Sequence, residues 1–528
     1  LVIRPVTDFT AALTLDTLVA GGITEPGQRM HYTFSLSQAE QLYFDALSDT
    51  NIFSWSLTGP SGEVVANRNW SFSDGASRPT SPVLDLPAGD YVLTVDGARE
   101  FTGNFDFQLL NLAQAEVVVP GTPVDSRVLT PTNSTQVFAF DATAGDRVAF
   151  DFDQLSSSLG IYWRLIDPAG KQVFGPTDLS DRDAETLEQT GQYLLLIEGT
   201  RTSGASGFGF NVVPVVDESL PFTFDTTLSG MLEAGERHFY EFTLADPTLI
   251  AFDALTNLNE LRWSLSGPFG SIVERRGFPR SDAVDPRFLF GNAQGYALAA
   301  GTYTLTIDVL GLGSAAYSFK VLDLSAAPVV TLDTEQTGQL DPGNESDAYR
   351  IPVTAGDRLH FDATLFASAY WRLLDPEGEE VFGPRTGVIG MRDVGGLSVG
   401  RTGTYTLLVE GRVDRTSPIS YAFVVRDAPD VSATLTLGAV ASNAIGPGQR
   451  IIYDLALTAD RPVYFDALEG TGLSWSLLGP RGTVVADRSF SISDASFSGS
   501  PQLDLVAGDY TLIVEPNSSA PPQTVSLR

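Results

Sequence analysis

Residues 55–62 read WSLTGPSG and residues 89–97 read GDYVLTVDG. The first run carries an aromatic-apolar strand into Gly59-Pro60, with Gly62 two residues beyond. Proline presets φ and glycine supplies positive φ, so this is a tight reversal from one strand to the next. The second run places Tyr91, Leu93 and Val95 on alternate positions, which is the period of a half-buried strand. Together the two runs predict antiparallel β-structure.

The same block recurs five times, which decides the domain organisation. Its tryptophans are Trp55, Trp163, Trp263, Trp371 and Trp475, and their turns are Gly59-Pro60, Asp167-Pro168, Gly267-Pro268, Asp375-Pro376 and Gly479-Pro480. The closing strand opens at Tyr91, Tyr193, Tyr303, Tyr405 and Tyr510, each two residues after a glycine. Ahead of each tryptophan stands a Phe-Asp strand: YFDAL at 43–47, AFDF at 149–152, AFDAL at 251–255, HFDAT at 360–364 and YFDAL at 464–468. Successive tryptophans lie 108, 100, 108 and 104 residues apart, the size of one β-sandwich. Each repeat is therefore expected to be a domain of its own, unlike the shorter units of a solenoid.

A second period overlies the first. Repeats one, three and five read WSL-x-GP, whereas repeats two and four read YWRL-x-DP at Tyr162–Leu165 and Tyr370–Leu373 and carry VFGP at Val173–Pro176 and Val381–Pro384. The odd repeats instead have an Arg-aromatic stretch ending in Ser-Asp, at Arg68–Asp74, Arg276–Asp282 and Arg488–Asp494. The unit of duplication is an odd-even pair.

These patterns predict an all-β fold, a tandem array of five jelly-roll-like antiparallel β-sandwich domains. The expected boundaries are 1–8 for the last strand of a preceding repeat, then 9–116, 117–218, 219–326, 327–428 and 429–528, the last with its final strand incomplete. Residues 1–8, LVIRPVTD, resemble 423–430, FVVRDAPD, the end of repeat four. Two explanations stand: the chain is a window on a longer array, or residues 1–8 complete the last domain of a neighbouring copy as an added strand. Linkers such as 115–123 and 212–221 are short and rich in Val and Pro, which favours a semi-rigid connection.

At 528 residues the chain exceeds what one hydrophobic core spans. Its 65 acidic against 32 basic residues give a formal net charge of −33, which repels nucleic acid and anionic lipid. Lys171 and Lys320 are the only lysines, so nearly every cation is an arginine suited to carboxylate pairing. With no cysteine there is no disulfide, thiolate metal site or Cys nucleophile. No apolar run is long enough to cross a bilayer as a helix, so no membrane insertion is expected.

The strand, the WSL-x-GP-x-G or WRL-x-DP-x-G turn and the AGDY or TGTY strand opening resemble the bacterial pre-peptidase C-terminal domain, a jelly-roll-like β-sandwich. The family's segments fall on Leu165–Gly170, Leu373–Gly378, Gly191–Tyr193 and Gly403–Tyr405. The resemblance implies secretion, attachment to larger extracellular proteins and no catalysis, with calcium, polysaccharide or protein fibres bound by some members. The tryptophan two residues before the strand leucine departs from the family pattern.

His31, His238 and His360 do not recur at equivalent positions, and no nucleophile elbow, P-loop or HExxH motif is present, so no enzyme is expected. The histidines read as surface or edge residues. Asp45, Asp253, Asp362 and Asp466 of the Phe-Asp strand are the candidate calcium ligands, since that hard cation takes carboxylates and carbonyls; the residue reading prefers them as partners of turn amides. Asp74, Asp282 and Asp494 are weaker candidates. The five recurring tryptophans and the tyrosines Tyr91, Tyr193, Tyr303, Tyr405 and Tyr510 are assigned to the repeat core. Trp70, in a variable loop, is expected to be accessible, and Asn69, Asn133, Asn344 and Asn517 begin N-x-S/T tripeptides.

The function expected is structural: part of an extracellular or cell-surface bacterial fibre, filament or adhesin stalk, partnered by copies of itself or of its repeats. With strands of about 23 Å at ~3.3 Å per residue, five domains end to end make a rod well over ~100 Å long. The alternative is a multivalent array binding surface polysaccharide or calcium.

Overall fold

In the computed structural model the described residues are 4–48, 50–74, 78–98, 100–153, 160–200, 206–281, 295–365, 368–384, 390–493, 502–516 and 521–528. They are all-β, with single-turn 3-10 helices such as Trp70–Phe72 and no α-helix. The chain divides into two compact units, one made chiefly of residues 1–218 and the other chiefly of residues 238–307 and 315–528.

The first block shows how the quoted runs are used. Its strands are β1 (Phe9–Ala12), β2 (Val19–Ile23), β3 (Arg29–Leu36), β4 (Glu40–Ala46), β5 (Phe53–Gly59), β6 (Gly62–Asn69), β7 (Leu84–Leu86), β8 (Gly89–Gly97) and β9 (Gly103–Asn111). One sheet has the order β1-β3-β8-β5-β6 and the other β2-β9-β4-β7. The WSL strand β5 and the GDY strand β8 are direct neighbours, with Trp55 opposite Val95 and Leu57 opposite Leu93. The Gly-Pro-Ser-Gly turn closes β5 onto β6, and Gly62 has a φ of +103°, a conformation that a side chain disfavours. Side chains from both sheets, among them Phe44, Trp55, Tyr91, Leu93, Phe105 and Phe107, form one buried cluster.

The second block repeats both orders. Glu116–Val117, Thr135–Ala142, Gly191–Gly199, Ile161–Ile166 and Gln172–Asp178 form one sheet, and Val124–Leu129, Ser206–Val215, Arg147–Asp153 and Arg182–Thr186 the other. The order recurs in the third block, and in the fourth with its first strand reduced to a single bridge between Val329 and Arg350. In the fifth block Gln523–Leu527 pairs with Ala441–Ile445 and Ala467–Glu469, while Arg461–Tyr464 pairs separately with Gln502–Leu505.

Two expectations about connections change. Arg4–Asp8 is not a strand; Asp8 Oδ1 instead accepts the Arg29 amide at 2.8 Å. The segment at 115–123 is more than a spacer, because Glu116 and Val117 lie parallel to Phe138 and Ala139 as the edge of the second block's sheet.

Candidate functional site

All five recurring tryptophans are buried, as are the five closing-strand tyrosines. The odd-even split has a packing cause. In odd blocks the indole stacks on the Phe of the Phe-Asp strand, with ring centroids 4.1 Å apart for Phe44–Trp55, Phe252–Trp263 and Phe465–Trp475. The serine of the Ser-Asp motif then accepts the indole N–H, at 2.7 Å for Trp55–Ser73 and 2.6 Å for Trp263–Ser281. In even blocks the phenylalanine of VFGP fills that place: Phe174 lies edge-on to Trp163 and Phe150, and Phe382 to Trp371 and Phe361. Four of the tyrosines turn a corner, the hydroxyl donating to a carbonyl four residues back: Tyr91 to Pro87, Tyr193 to Gln189, Tyr303 to Ala299 and Tyr510 to Val506.

Sealed indoles offer no sugar-stacking face. Trp70, expected to be accessible, is wholly buried: its 3-10 turn tips the ring into the core against Phe53, Phe44 and Phe105. Phe278 and Phe490 are buried at the matching turns. His238 and His360, expected as surface or edge residues, are buried too, His238 Nδ1 lying 2.6 Å from the Tyr317 hydroxyl. Asn133 and Asn344 are buried and so present no glycosylation surface, while Asn69 caps the Trp70 turn through Ser71 N. Asp282, Asp494 and Asn517 lie outside the described residues.

Buried charged side chains gather at the junctions where an odd block meets the even block after it. Adjacent strand residues face opposite sides of a sheet, so if Trp163 points into the core of its block, Arg164 points out. Glu198, on the neighbouring strand, stands diagonally across the same outer face. Arg164 Nε donates to Glu198 Oε2 at 2.9 Å, both side chains being 0% exposed. Arg164 Nη1 donates to Thr80 O at 3.1 Å and to Gln172 Oε1 at 3.0 Å. From the odd block, Tyr43 donates to Glu198 Oε1 at 2.7 Å.

Beside this pair, Asp45 Oδ1 accepts the Thr135 hydroxyl at 2.9 Å and Oδ2 the Thr135 amide at 3.1 Å. Tyr43, Leu112, Ala139, Ile166, Leu194 and Leu196 surround the polar groups with a buried apolar cluster of their own. Burial, reinforced by Glu198, raises the Asp45 carboxyl to about 7 against the pull of the Thr135 bonds. Burial and the Asp45 charge push Asp74 well above the carboxylate range as well.

The junction between the third and fourth blocks is built alike. Arg372 Nε donates to Glu410 Oε2 at 3.0 Å, and Arg372 also meets Glu380. Ser346 N donates to Asp253 Oδ2 at 3.2 Å, and Asn344 Nδ2 to Leu255 O at 2.9 Å. Ala251, Leu322, Leu324, Leu374 and Leu408 close the apolar cluster. Burial lifts the Glu410 carboxyl above its ordinary range, with Arg372 drawing it back.

The four sequence-equivalent aspartates therefore have two kinds of surroundings. Asp45 and Asp253 are buried at odd-even junctions. Asp362 pairs with Arg426 at 3.0 Å through Nε, and Asp466 pairs with Arg528 at 2.6 Å. No single site gathers them. Arg164 lies in the WRL motif and Glu198 near the end of the closing strand YLLLIEG; WRL and a closing IEG or VEG coincide only in the even repeats, the one signal of this pair in the sequence.

The fifth block holds a cavity of about 680 Å³ lined by Trp475, Phe465, Leu477, Leu505, Leu512 and others, with Asp466 and Arg528 at its edge. Its described lining carries no nucleophile-base pair.

No family model matches the chain, and no curated protein sequence matches it. Among solved structures it is similar to the periplasmic inhibitor of g-type lysozyme from Aeromonas hydrophila, at 15% identity over 19% of this chain and 100% of that one, with a TM-score of 0.15. It is also similar to the CUB1-EGF-CUB2 domains of rat MASP-1, at 10% identity over 39% of this chain and 99% of that one, with a TM-score of 0.14. At these scores neither neighbour bears on function.

Proposed function

We propose that this chain is a structural repeat region of an extracellular or cell-surface bacterial fibre, filament or adhesin stalk, acting by spacing and cohesion and without catalysis. Its finer architecture in this reading is one jelly-roll-like β-sandwich per block, with boundaries near 116, 218, 326 and 428, related to pre-peptidase C-terminal modules. The recurring sheet order supports this, as does the fact that the core clusters of blocks one, two, four and five each draw on a single block.

A β-solenoid is the competing architecture, and it stacks coils through parallel pairing. Here the described parallel registers are short edge pairings such as Phe9–Ala12 with Met30–Thr33 and Val431–Thr434 with Ile451–Asp454. The long registers, such as Thr135–Ala142 with Gly191–Gly199, are antiparallel and lie within one block.

The observation that carries the functional reading is the junction chemistry. At the first junction the odd block's Tyr43 and Thr80 carbonyl bond the even block's sealed Arg-Glu pair beside a shared apolar cluster, which suits a rigid spacer better than a flexible string of binders. Small-angle scattering and electron microscopy of the full chain test it. Elongated particles well over ~100 Å long are expected, with no hits on a glycan array. Compact particles, or saturable binding of a surface polysaccharide, would replace this reading with the multivalent-binder one.

A further inference from the structure

We infer that the cleft between the third and fourth blocks binds a short aliphatic diamine, held by Asp225 and Asp323 of the third block and by Ser346 and Asp347 of the fourth. The cleft has a volume of about 250 Å³. On strand Ala315–Asp323 the side chains of Tyr317, Phe319 and Val321 are buried, so Lys320 and Leu322 leave by the opposite face. Leu322 meets Ala348 of the fourth block in the apolar cluster of the junction. Ser346 lies two residues before Ala348 on strand Ser346–Val353 and faces the same side, and both line the cleft.

Two independent observations point to a cationic guest. The first is a hydroxyl: Ser346 is 4% exposed, and its Oγ is buried without a hydrogen-bond partner. At the first junction Thr135 holds this place, opposite Glu198 as Ser346 is opposite Glu410, and its hydroxyl donates to Asp45. A buried hydroxyl left unpaired is costly. An ammonium group, all donor and no acceptor, would use its lone pairs.

The second is charge. Asp225, Asp323, Glu345 and Asp347 line the cleft with a single ammonium, that of Lys320, which Glu345 engages. Three carboxylates remain. Burial raises the Asp225 and Asp347 carboxyls above their ordinary range, with Asp323 and Glu345 respectively adding to it and Lys320 drawing both back. The Asp323 amide donates to Asp225 Oδ1 at 3.0 Å and the Tyr421 hydroxyl to Asp347 Oδ2 at 2.6 Å, which orients both carboxylates.

The lining decides the class of cation. Leu322, Ala327, Pro328 and Ala348 make a wall of the cleft apolar, and its volume is several times the ~30 Å³ of one water. A bare metal ion would leave that wall wet. A methylene stem covers it while an ammonium at each end reaches the carboxylates of one block. The first junction differs at the same places: Gln108 stands opposite Asp45 where Lys320 stands opposite Asp253, and Gln136 follows Thr135 where Asp347 follows Ser346. The site therefore belongs to the second odd-even junction, and the assignment stands independently of the filament reading.

The test is calorimetric titration of the full chain with putrescine at physiological salt, with butylamine and calcium chloride as comparison titrants. A single saturable putrescine site is expected, and butylamine, which lacks the second ammonium, should bind about tenfold more weakly. Asp225→Asn should weaken putrescine by a similar factor. Ser346→Ala deletes the unpaired hydroxyl, so it should leave the melting temperature of the empty chain unchanged or raised and still weaken putrescine. That variant decides should D225N fail to fold. Equal putrescine binding by the parent and the variants would reveal general attraction to an acidic surface and overturn the assignment, as would a site that takes calcium in preference to putrescine.

Discussion

Arg164 and Glu198 form a salt bridge of 2.9 Å from which solvent is entirely excluded, and Tyr43 of the preceding block donates to the other Glu198 oxygen. A buried pair of this kind adds little net stability over an apolar substitute, but removing one partner strands a charge at a cost of about 3–5 kcal/mol. Arg164→Met should therefore lower the unfolding free energy by about that amount in urea melts. Replacing both, as Arg164→Met with Glu198→Leu, should recover most of the loss. A single variant no worse than the double would show that the junction is not sealed.

Trp70 packs against Phe44, Phe53, Phe105 and Phe107 at centroid distances of 5.3 to 6.1 Å. Trp70→Ala should cost about 3–5 kcal/mol, as for any large aromatic removed from a core. Trp70→Phe, which copies the ring found at Phe278 and Phe490, should cost far less. Tryptophan quenching by iodide gives a second check, since a buried indole is not quenched.

Gly59 closes strand β5 directly over the Tyr91 ring, and a β-carbon there would lie 2.3 Å from Tyr91 Cε1. The same contact occurs between Gly267 and Tyr303 and between Gly479 and Tyr510. Gly59→Ala should destabilise by about 1–3 kcal/mol through overpacking. Combining it with Tyr91→Leu should relieve much of that, read from the shift in melting midpoint.

His360 is buried where the fourth block meets Gly448 of the fifth, facing Asp362, Asp393 and Arg426, and burial lowers its pKa despite the two carboxylates. The folded state thus holds it neutral while the unfolded chain takes up a proton below about 6.5. Its contribution is present above that pH and lost as pH falls below it. Urea midpoints of the parent chain should drop between pH 7.5 and 5 more steeply than those of His360→Gln. Parallel pH profiles would refute the role given to His360.

The even-block arginine shows how far the sequence could be read. Its place after a core tryptophan, on a strand of period two, fixes that it leaves the core, because alternate residues face opposite sides. What it meets there is not a local property. The same limit applies to the Phe-Asp motif: Asp45 and Asp466 share the context YFDAL, yet one is buried against Thr135 and the other pairs with Arg528 at the surface.

Strand periodicity, the Gly-Pro reversals, the aromatic core positions and the odd-even alternation were set by the sequence alone, since each depends on residues a few positions apart. Tertiary structure decided which outer faces are covered, where Trp70 points and which carboxylate meets Thr135. Those outcomes depend on groups some 90 residues distant, such as Thr135 against Asp45, brought together only when one block packs on the next and water is expelled between them.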